Sequence, residues 1–95
     1  MATVVRGSFE WDDAKAAANL TKHGVSFEEA ATVFADDSAL FLEDLVHEER
    51  FNVIGLSQAA DVLFVVCIER GERDRIVSAR PATAREERLY ANPNE

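Results

Sequence analysis

The feature that most constrains the fold is an almost uninterrupted apolar run at residues 62–68, VLFVVCI. Residues of these types favour strands, and a strand without polar alternation is typical of a central strand that is covered on both faces. Three more β-rich runs surround it: ALFLED, RFNVIGLS and RDRIVSARPA. The segments between the runs, LVHEE, QAAD and GE, are short enough for hairpins. The sequence therefore predicts an antiparallel meander of about four strands.

Helices are predicted on either side of this meander. After a short N-terminal strand in SFEWD, the alanine-rich residues 12–23 predict a first helix, with Asp12 as the candidate N-cap and Gly24 as the stop signal. Capping boxes at residues 26–29 (SFEE) and 83–86 (TARE) start a second and a third helix, and the third ends before Pro93. The predicted class is α+β, in the order strand, two helices, four strands, helix.

Length and composition point to one domain spanning residues 1–95, since a chain of 95 residues has room for a single core. The lone Cys67 excludes an intrachain disulfide and favours a reducing compartment. No signal peptide or membrane-spanning segment is evident, so a cytoplasmic protein is expected. Because His23 and His47 are isolated and no glycine-rich phosphate loop occurs, we expect neither a metal site nor a cofactor.

The charge distribution is asymmetric. Residues 1–69 contain thirteen acidic and four basic residues, a sum of -9, whereas residues 70–88 contain six arginines and four acidic residues, a sum of +2. The chain as a whole has a formal net charge of -8. Such a chain repels nucleic acid at long range, so a nucleic-acid contact has to come from a local basic patch.

The candidate patch lies on the last strand. Regular alternation assigns its side chains to two faces, with Ile76, Ser78 and Arg80 on one and Arg75, Val77 and Ala79 on the other. A bulge would change this assignment. Arg50, at the start of the second meander strand, is expected to approach the same end of the sheet. Surface ion pairs with nearby acidic residues are the alternative role for each arginine.

Two residues are candidates for proton transfer. Glu69 ends the apolar strand beside several arginines, where it acts as a base or holds an arginine in place. His23 is the second candidate, because an imidazole is able to exchange a proton with an RNA hydroxyl or leaving oxygen. Lys22 and His23 also lie at a helix C-terminus, where the helix dipole alone favours cations.

In the last helix, Arg85 and Arg88 are spaced i, i+3 and therefore share a side of the helix. They extend the basic patch if the helix lies beside the last strand. Tyr90 is available to stack on a base or to donate a hydrogen bond. Together with Lys22 and Ser78, these residues are the predicted RNA-binding set.

Three segments, FEWDDAKAAANLTKHGVSFEEAATVF, ERFNVIGLS and VVCIERGERDRIVSARPATAREERLY, together resemble the BrnT family of bacterial type II toxins. The resemblance covers residues 9–90. It implies a RelE-like fold and a ribonuclease that inhibits translation, neutralised by a BrnA-type antitoxin with a ribbon-helix-helix domain. DNA is then contacted only through the antitoxin, in a complex that contains a homodimer or a heterotetramer. The family's motif positions fall on Lys22, His23, Arg50, Arg75, Arg80, Glu86, Arg88 and Tyr90.

For a metal-free ribonuclease of this size, we expect the 2′-hydroxyl of the RNA to be the nucleophile, and the local cluster of arginines in an acidic chain suggests the following roles. Arg75 and Arg80 are assigned to phosphate stabilisation, Arg50 to substrate positioning, and His23 or Glu69 to proton transfer. The alternative is a catalytically weak or inactive module that binds a basic antitoxin and assists operon repression. The net charge of -8 and the proline that follows Ser-Ala-Arg favour this alternative.

Overall fold

The computed structural model describes residues 2–94, which form a six-stranded sheet with α-helices against both of its faces. The strands lie side by side in the order β1-β2-β6-β5-β4-β3. They are β1 (Thr3–Arg6), β2 (Phe9–Asp12), β3 (Leu40–Glu43), β4 (Arg50–Leu56), β5 (Val62–Arg70) and β6 (Arg73–Pro81). The helices are α1 (Asp13–His23), α2 (Phe27–Thr32) with a 3-10 turn at Val33–Ala35, and α3 (Ala84–Ala91).

The predicted meander is confirmed, because β3, β4, β5 and β6 pair consecutively and antiparallel. The apolar run forms β5, which lies inside the sheet between β4 and β6. The predicted N-terminal strand is β2, and it joins the meander through a parallel pairing with β6. The sequence did not predict β1, which forms a hairpin with β2 around Gly7, whose φ is 59°. The α+β class and the order of the predicted elements are correct.

The first helix begins and ends, and the second helix begins, where the sequence indicates. The side chain of Asp12 caps α1, and Gly24 ends it in the left-handed conformation at φ 72°. Ser26 caps α2 by accepting a hydrogen bond from the backbone N–H of Glu29. The second half of this predicted capping box is absent, because the Glu29 carboxylate instead accepts a hydrogen bond of 2.7 Å from Ser57 Oγ. Glu29 thereby ties α2 to the turn between β4 and β5.

The hydrophobic core lies between one face of the sheet and the helices α1 and α2. Val65 and Cys67 of β5 are fully buried there against Trp11 of β2 and Phe27 of α2. The alternate residues of β5 project from the other face of the sheet and are only half-buried. Of that second face, α3 covers the end near Ile54, which is fully buried. The remainder of this face is open to solvent.

A β-bulge in β6 overturns the regular alternation predicted for this strand. Cys67 of β5 pairs with Ile76. Its neighbour Val66 pairs with Ser78, which leaves Val77 as an extra residue in β6. The phase of the side chains changes at this point. As a result, Arg75, Ser78 and Arg80 all project from the second face of the sheet, whereas Ile76 and Ala79 are buried in the core.

A buried side chain extends the hydrogen bonding of β6 beyond the end of β2. The parallel pairing of these strands reaches only Glu10 opposite Arg75. Further along β6, Asn19 Nδ2 donates to the carbonyl oxygen of Ala79 at 2.7 Å, and Asn19 Oδ1 accepts from the N–H of Ala79 at 3.1 Å. The Asn19 amide also donates to the carbonyl oxygen of Val25 at 3.0 Å. Asn19 therefore takes the place of a strand partner and fixes β6 beside the bulge.

Candidate functional site

The candidate site is the uncovered part of the second sheet face, where the register aligns side chains from four strands in three rows. The first row is Glu10–Arg75–Ile68–Arg50, the second is Ser78–Val66–Asn52, and the third is Arg80–Phe64–Ile54. We call the surface formed by these residues the open face. Since neighbouring strands are about 4.8 Å apart, the Cα atoms of Arg50 and Arg75 are about 10 Å apart. The three candidate arginines thus project from one face, whereas regular alternation predicted Arg75 and Arg80 on opposite faces, and the bulge in β6 accounts for the difference.

Arg75 forms an ion pair with Glu10, the neighbouring residue of its row. Its Nη1 lies 2.6 Å from Glu10 Oε2, and the two side chains are 20% and 13% exposed. Only one hydrogen bond of the guanidinium group is used in this way among the described residues. Because a guanidinium group has five N–H donors, Arg75 retains donors for a second anionic group.

Arg80 is more fully engaged than Arg75. Its Nη1 and Nη2 donate to the two carboxylate oxygens of Glu86 at 2.7 and 2.9 Å, and its guanidinium carbon lies 4.4 Å from the ring centre of Phe64. The hydrogen bond from Arg80 lowers the pKa of Glu86, and the same bond raises the pKa of Arg80. Glu86 also completes the predicted capping box with Thr83. One carboxylate therefore starts α3 and holds it against β6.

Arg50 differs from the other two arginines because it makes no ion pair among residues 2–94. Its Nε is inaccessible to solvent and has no hydrogen-bond partner. The same holds for Oδ1 of Asn52, two residues further along β4 on the same face. A buried donor or acceptor without a partner is uncommon and costly. These two atoms, together with the remaining donors of Arg75, are unused hydrogen-bonding groups of the open face among the described residues, although solvent does not reach Arg50 Nε or Asn52 Oδ1.

Lys22 and His23 lie at the end of α1, in the helix layer. His23 follows Asn19 by one helical turn and shares its side of α1, so it is directed toward the margin of the sheet where β6 ends. Neither Lys22 nor His23 forms a hydrogen bond or an ion pair with the open face among the described residues. The structure thus leaves both residues in the helix layer, with His23 half-buried and Lys22 exposed, and it does not bring either of them to the open face.

Glu69 does not join the arginines. It is paired across the sheet with Asp74, one position beyond the row of Ile68 and Arg75, and therefore projects toward the opposite face. Burial and, secondarily, the charge of Glu69 raise the pKa of Asp74. The two carboxylates line a cleft of about 910 Å³ at this end of the sheet. We call it the acidic cleft, and its acidic side chains are Glu43, Asp44, Glu48, Glu49, Glu69 and Asp74.

The remaining predicted residues belong to α3. Arg85 and Arg88 share one side of the helix, as predicted, but this side faces solvent together with Leu89 and Asn92. Tyr90 lies on the inner side, where its hydroxyl donates a 2.6 Å hydrogen bond to Asp36. This bond raises the pKa of Tyr90 and lowers that of Asp36. Tyr90 thus anchors α3, and the two arginines stand apart from the open face.

Sequence reasoning missed Glu10 and Asn52 as residues of the site. Alternation in FEWD separates Glu10 from its apolar neighbours Phe9 and Trp11, which is a usable signal. The pairing of β2 with β6, which brings Glu10 to Arg75, joins residues 65 positions apart and has no local signature. Asn52 has no such signal in the sequence, because its position near Arg50 on the open face depends on the register of β4.

Two further properties concern the whole described chain. Within residues 2–94, no group of three or more His, Cys, Asp and Glu side chains is placed to hold a metal ion. In the same part of the chain, no helix is both long and apolar enough to cross a membrane.

Comparison with known proteins supplies the family. The family model described as "Ribonuclease toxin, BrnT, of type II toxin-antitoxin system" matches residues 11–86. The fold is similar to that of a solved structure, the ribonuclease toxin BrnT of Brucella abortus, with a TM-score of 0.63 and 24% sequence identity. The alignment covers 77% of this chain and 92% of the Brucella chain. No curated protein matches the sequence. Because the family model covers most of the chain, including the strands β4, β5 and β6 of the open face, the chain belongs to the BrnT family of ribonuclease toxins of type II toxin-antitoxin systems.

Proposed function

We propose that this protein is a metal-independent endoribonuclease that binds RNA on the open face and inhibits translation. It acts in the cytoplasm as a single domain, and a BrnA-like antitoxin with a ribbon-helix-helix domain neutralises it and supplies the contact with DNA. The observation that carries the proposal is the alignment of Arg50, Arg75 and Arg80 on one uncovered sheet face of a strongly anionic chain. Guanidinium groups bind phosphate through paired N–H donors.

The reaction we propose is an internal transesterification. The 2′-oxygen of the RNA attacks the adjacent phosphorus, the bond from phosphorus to the 5′-oxygen breaks, and a 2′,3′-cyclic phosphate forms. Arg75 and Arg80 stabilise the additional negative charge of the transition state, and Arg50 with Asn52 positions the strand. The protein therefore contributes orientation and electrostatic stabilisation, which a rigid sheet face supplies well.

Proton transfer requires a group that accepts the 2′-proton and one that protonates the 5′-oxygen. Glu10 replaces Glu69 in our assignment of the base, because Glu10 touches Arg75 whereas Glu69 projects toward the acidic cleft. A carboxylate beside the arginine that binds the phosphate is well placed to reach the neighbouring 2′-hydroxyl. His23, the other candidate for proton transfer from the sequence, is the proposed proton donor, although it lies at the end of α1 in the helix layer.

A second candidate function is supported by the ion pair of Arg80. Glu86 occupies both Nη atoms, so RNA has to compete with an internal carboxylate for this residue. If the competition fails, the protein is the catalytically weak module that binds its antitoxin and assists repression. The net charge of -8 also favours the binding module over the nuclease, since it opposes RNA binding at long range.

One experiment separates the two functions. The wild type and the variants Arg75→Gln, Arg80→Gln and Glu10→Gln are induced without antitoxin, and the purified proteins are incubated with RNA in the presence of a chelator. A nuclease arrests growth and yields 2′,3′-cyclic phosphate ends, and each of the three variants loses at least tenfold in cleavage rate. Arg73→Ala is the matched control, because Arg73 is an exposed arginine at the start of the same strand.

Each outcome decides a part of the proposal. Wild-type protein that leaves both growth and RNA intact supports the binding module. Cleavage that stops on chelation refutes the metal-independent mechanism. Melting temperatures for all variants distinguish a lost active site from a lost fold.

A further inference from the structure

An apolar surface lies at the edge of the sheet farthest from the N-terminus. The strand β3 pairs with β4 on one side only, so its outer backbone groups have no strand partner within residues 2–94. Phe41 of β3 is 60% exposed, and Leu45 and Val46 in the following turn are 94% and 82% exposed. Exposed edge strands and contiguous apolar patches are both features that proteins cover with a partner.

The acidic cleft adjoins this edge. Phe41 and Leu42 line it together with the six carboxylates, and Arg50 is the single cation in its lining among the described residues. Glu69 and Asp74 face each other across β5 and β6 in this lining, and the raised pKa of Asp74 reflects its burial and this repulsion. A cation placed between these groups relieves the repulsion.

We propose that β3 and the acidic cleft together form a docking surface for a basic, partly apolar segment of the antitoxin, which extends along the free edge of β3. The inference rests on the proposed partnership with an antitoxin, and it adds the place and the chemistry of the contact. Apolar side chains of the segment cover Phe41 and the turn after β3, and its lysine or arginine side chains enter the cleft.

Charge argues for this occupant over two others. A second copy of the chain docked face to face would bring two sets of six carboxylates together, which like-charge repulsion opposes. RNA is excluded from the cleft by the same sign of charge. A basic peptide has the complementary charge, and its backbone satisfies the unpaired groups of the strand edge.

The position of Arg50 links this surface to the open face. Arg50 lines the acidic cleft and also stands at the end of the row that contains Arg75. A segment docked in the cleft therefore lies beside one of the three arginines assigned to RNA. Docking at this place blocks RNA at that end of the open face without covering the whole face.

The test is isothermal titration calorimetry of the purified protein with a purified BrnA-like ribbon-helix-helix antitoxin, at low and at moderate salt. Phe41→Ser and the double variant Glu48→Gln with Glu49→Gln change only exposed side chains, so they are expected to fold. Each is expected to weaken binding by about tenfold or more, equivalent to about 1.4 kcal/mol. The double variant is also expected to show a weaker salt dependence than the wild type.

Matched controls lie elsewhere on the surface. Leu20→Ser removes an apolar side chain that is 51% exposed on α1. The double variant Glu28→Gln with Glu87→Gln removes two exposed carboxylates from the first turns of α2 and α3. The controls are expected to bind within about twofold of the wild type. Hydrogen exchange of the complex is expected to show new protection in the amides of β3.

The outcomes separate this inference from the proposed nuclease activity. Cleft variants that bind the antitoxin as tightly as the controls, or a complex without new protection in β3, would overturn the docking surface. A wild-type dimer that Phe41→Ser dissociates would assign the edge to a second copy instead. RNA cleavage by the free protein is measured separately, and its loss or retention leaves the binding result unchanged.

Discussion

The sharpest consequence of the fold concerns Asn19, whose side chain replaces a strand partner for β6. We expect Asn19→Ala to remove three hydrogen bonds, two with the backbone of Ala79 and one with the carbonyl of Val25. Asn19 is 7% exposed, so water does not readily replace these bonds. At about 1 kcal/mol per bond, the free energy of unfolding falls by about 3 kcal/mol.

This loss is large for a domain of 95 residues. A small domain loses roughly 4–8 °C in melting temperature per kcal/mol, so Asn19→Ala is expected to melt roughly 12–24 °C below the wild type. The measurement is chemical denaturation followed by circular dichroism, with thermal melting as a second readout. Since Ala79 lies between Ser78 and Arg80, the variant is also expected to lose RNA cleavage at temperatures where it remains folded.

Two further variants test whether the Asn19 amide serves as a strand partner for β6. Lys15→Ala truncates an exposed side chain one turn earlier on the same helix and is expected to alter stability by less than about 0.5 kcal/mol. Asn19→Asp retains an acceptor for the N–H of Ala79 but places an oxygen against two carbonyl oxygens, so it is expected to destabilise at least as much as Asn19→Ala. If Asn19→Ala unfolds within about 0.5 kcal/mol of the wild type, the amide does not serve as a strand partner.

Four other predictions follow from the structure. Tyr90→Phe is expected to lower the melting temperature most at neutral pH and least in acid. The hydrogen bond from Tyr90 holds the pKa of Asp36 below its ordinary value of 3.8, so the pair stabilises the fold fully above pH 3.8. This stabilisation is lost as the pH falls through the lowered pKa of Asp36. Burial raises the pKa of Cys67 to about 12, so a disulfide reagent in mildly alkaline buffer is expected to leave the folded protein unmodified and to react once denaturant is added. Ala60→Gly is expected to stabilise the fold by about 0.5 kcal/mol in denaturation experiments, because Ala60 has a left-handed backbone conformation that glycine adopts without strain. This relief of strain outweighs the additional entropy of the unfolded chain. Ala59→Gly is the control and is expected to give no such gain. Raising salt from low concentration is expected to accelerate association with RNA and to slow association with the antitoxin, as stopped-flow fluorescence would show; a fall in both rates would contradict the charge argument.

The sequence predicted the parts of the fold that depend on local chemistry. Caps at Asp12 and Thr83 and the stop at Gly24 lie where the residues indicated, since a cap is formed within a few positions of the chain. The four meander strands were predictable because short connections leave an antiparallel hairpin as the simplest arrangement. The strand β1 was missed because its four residues do not alternate clearly, and because its pairing with β2 and the packing of Val4 against the core are not visible in the sequence.

The site was less predictable because its geometry depends on contacts between distant residues. The bulge at Val77 turns Arg80 onto the face of Arg75, and nothing in RDRIVSARP marks an extra residue. The partners of the two arginines also differ in kind. Glu86 is near Arg80 in sequence and belongs to a recognisable capping box, whereas Glu10 reaches Arg75 only through the parallel pairing of β2 with β6.

The segregated charges of this chain affect its two proposed partners at different distances. At physiological salt, charges are screened over about 8 Å, so an approaching macromolecule responds first to the net charge of -8 and only at contact to single side chains. The net charge attracts a basic antitoxin from a distance and repels RNA. At contact the open face favours RNA instead, because three guanidinium groups lie on this one surface of the sheet. Arg50 belongs to the open face and also to the lining of the acidic cleft. An antitoxin segment in the cleft would therefore reach the one arginine of the open face that lacks a carboxylate partner among the described residues. Under the proposed arrangement, the same acidic surface that favours the antitoxin kinetically also places it where RNA has to bind.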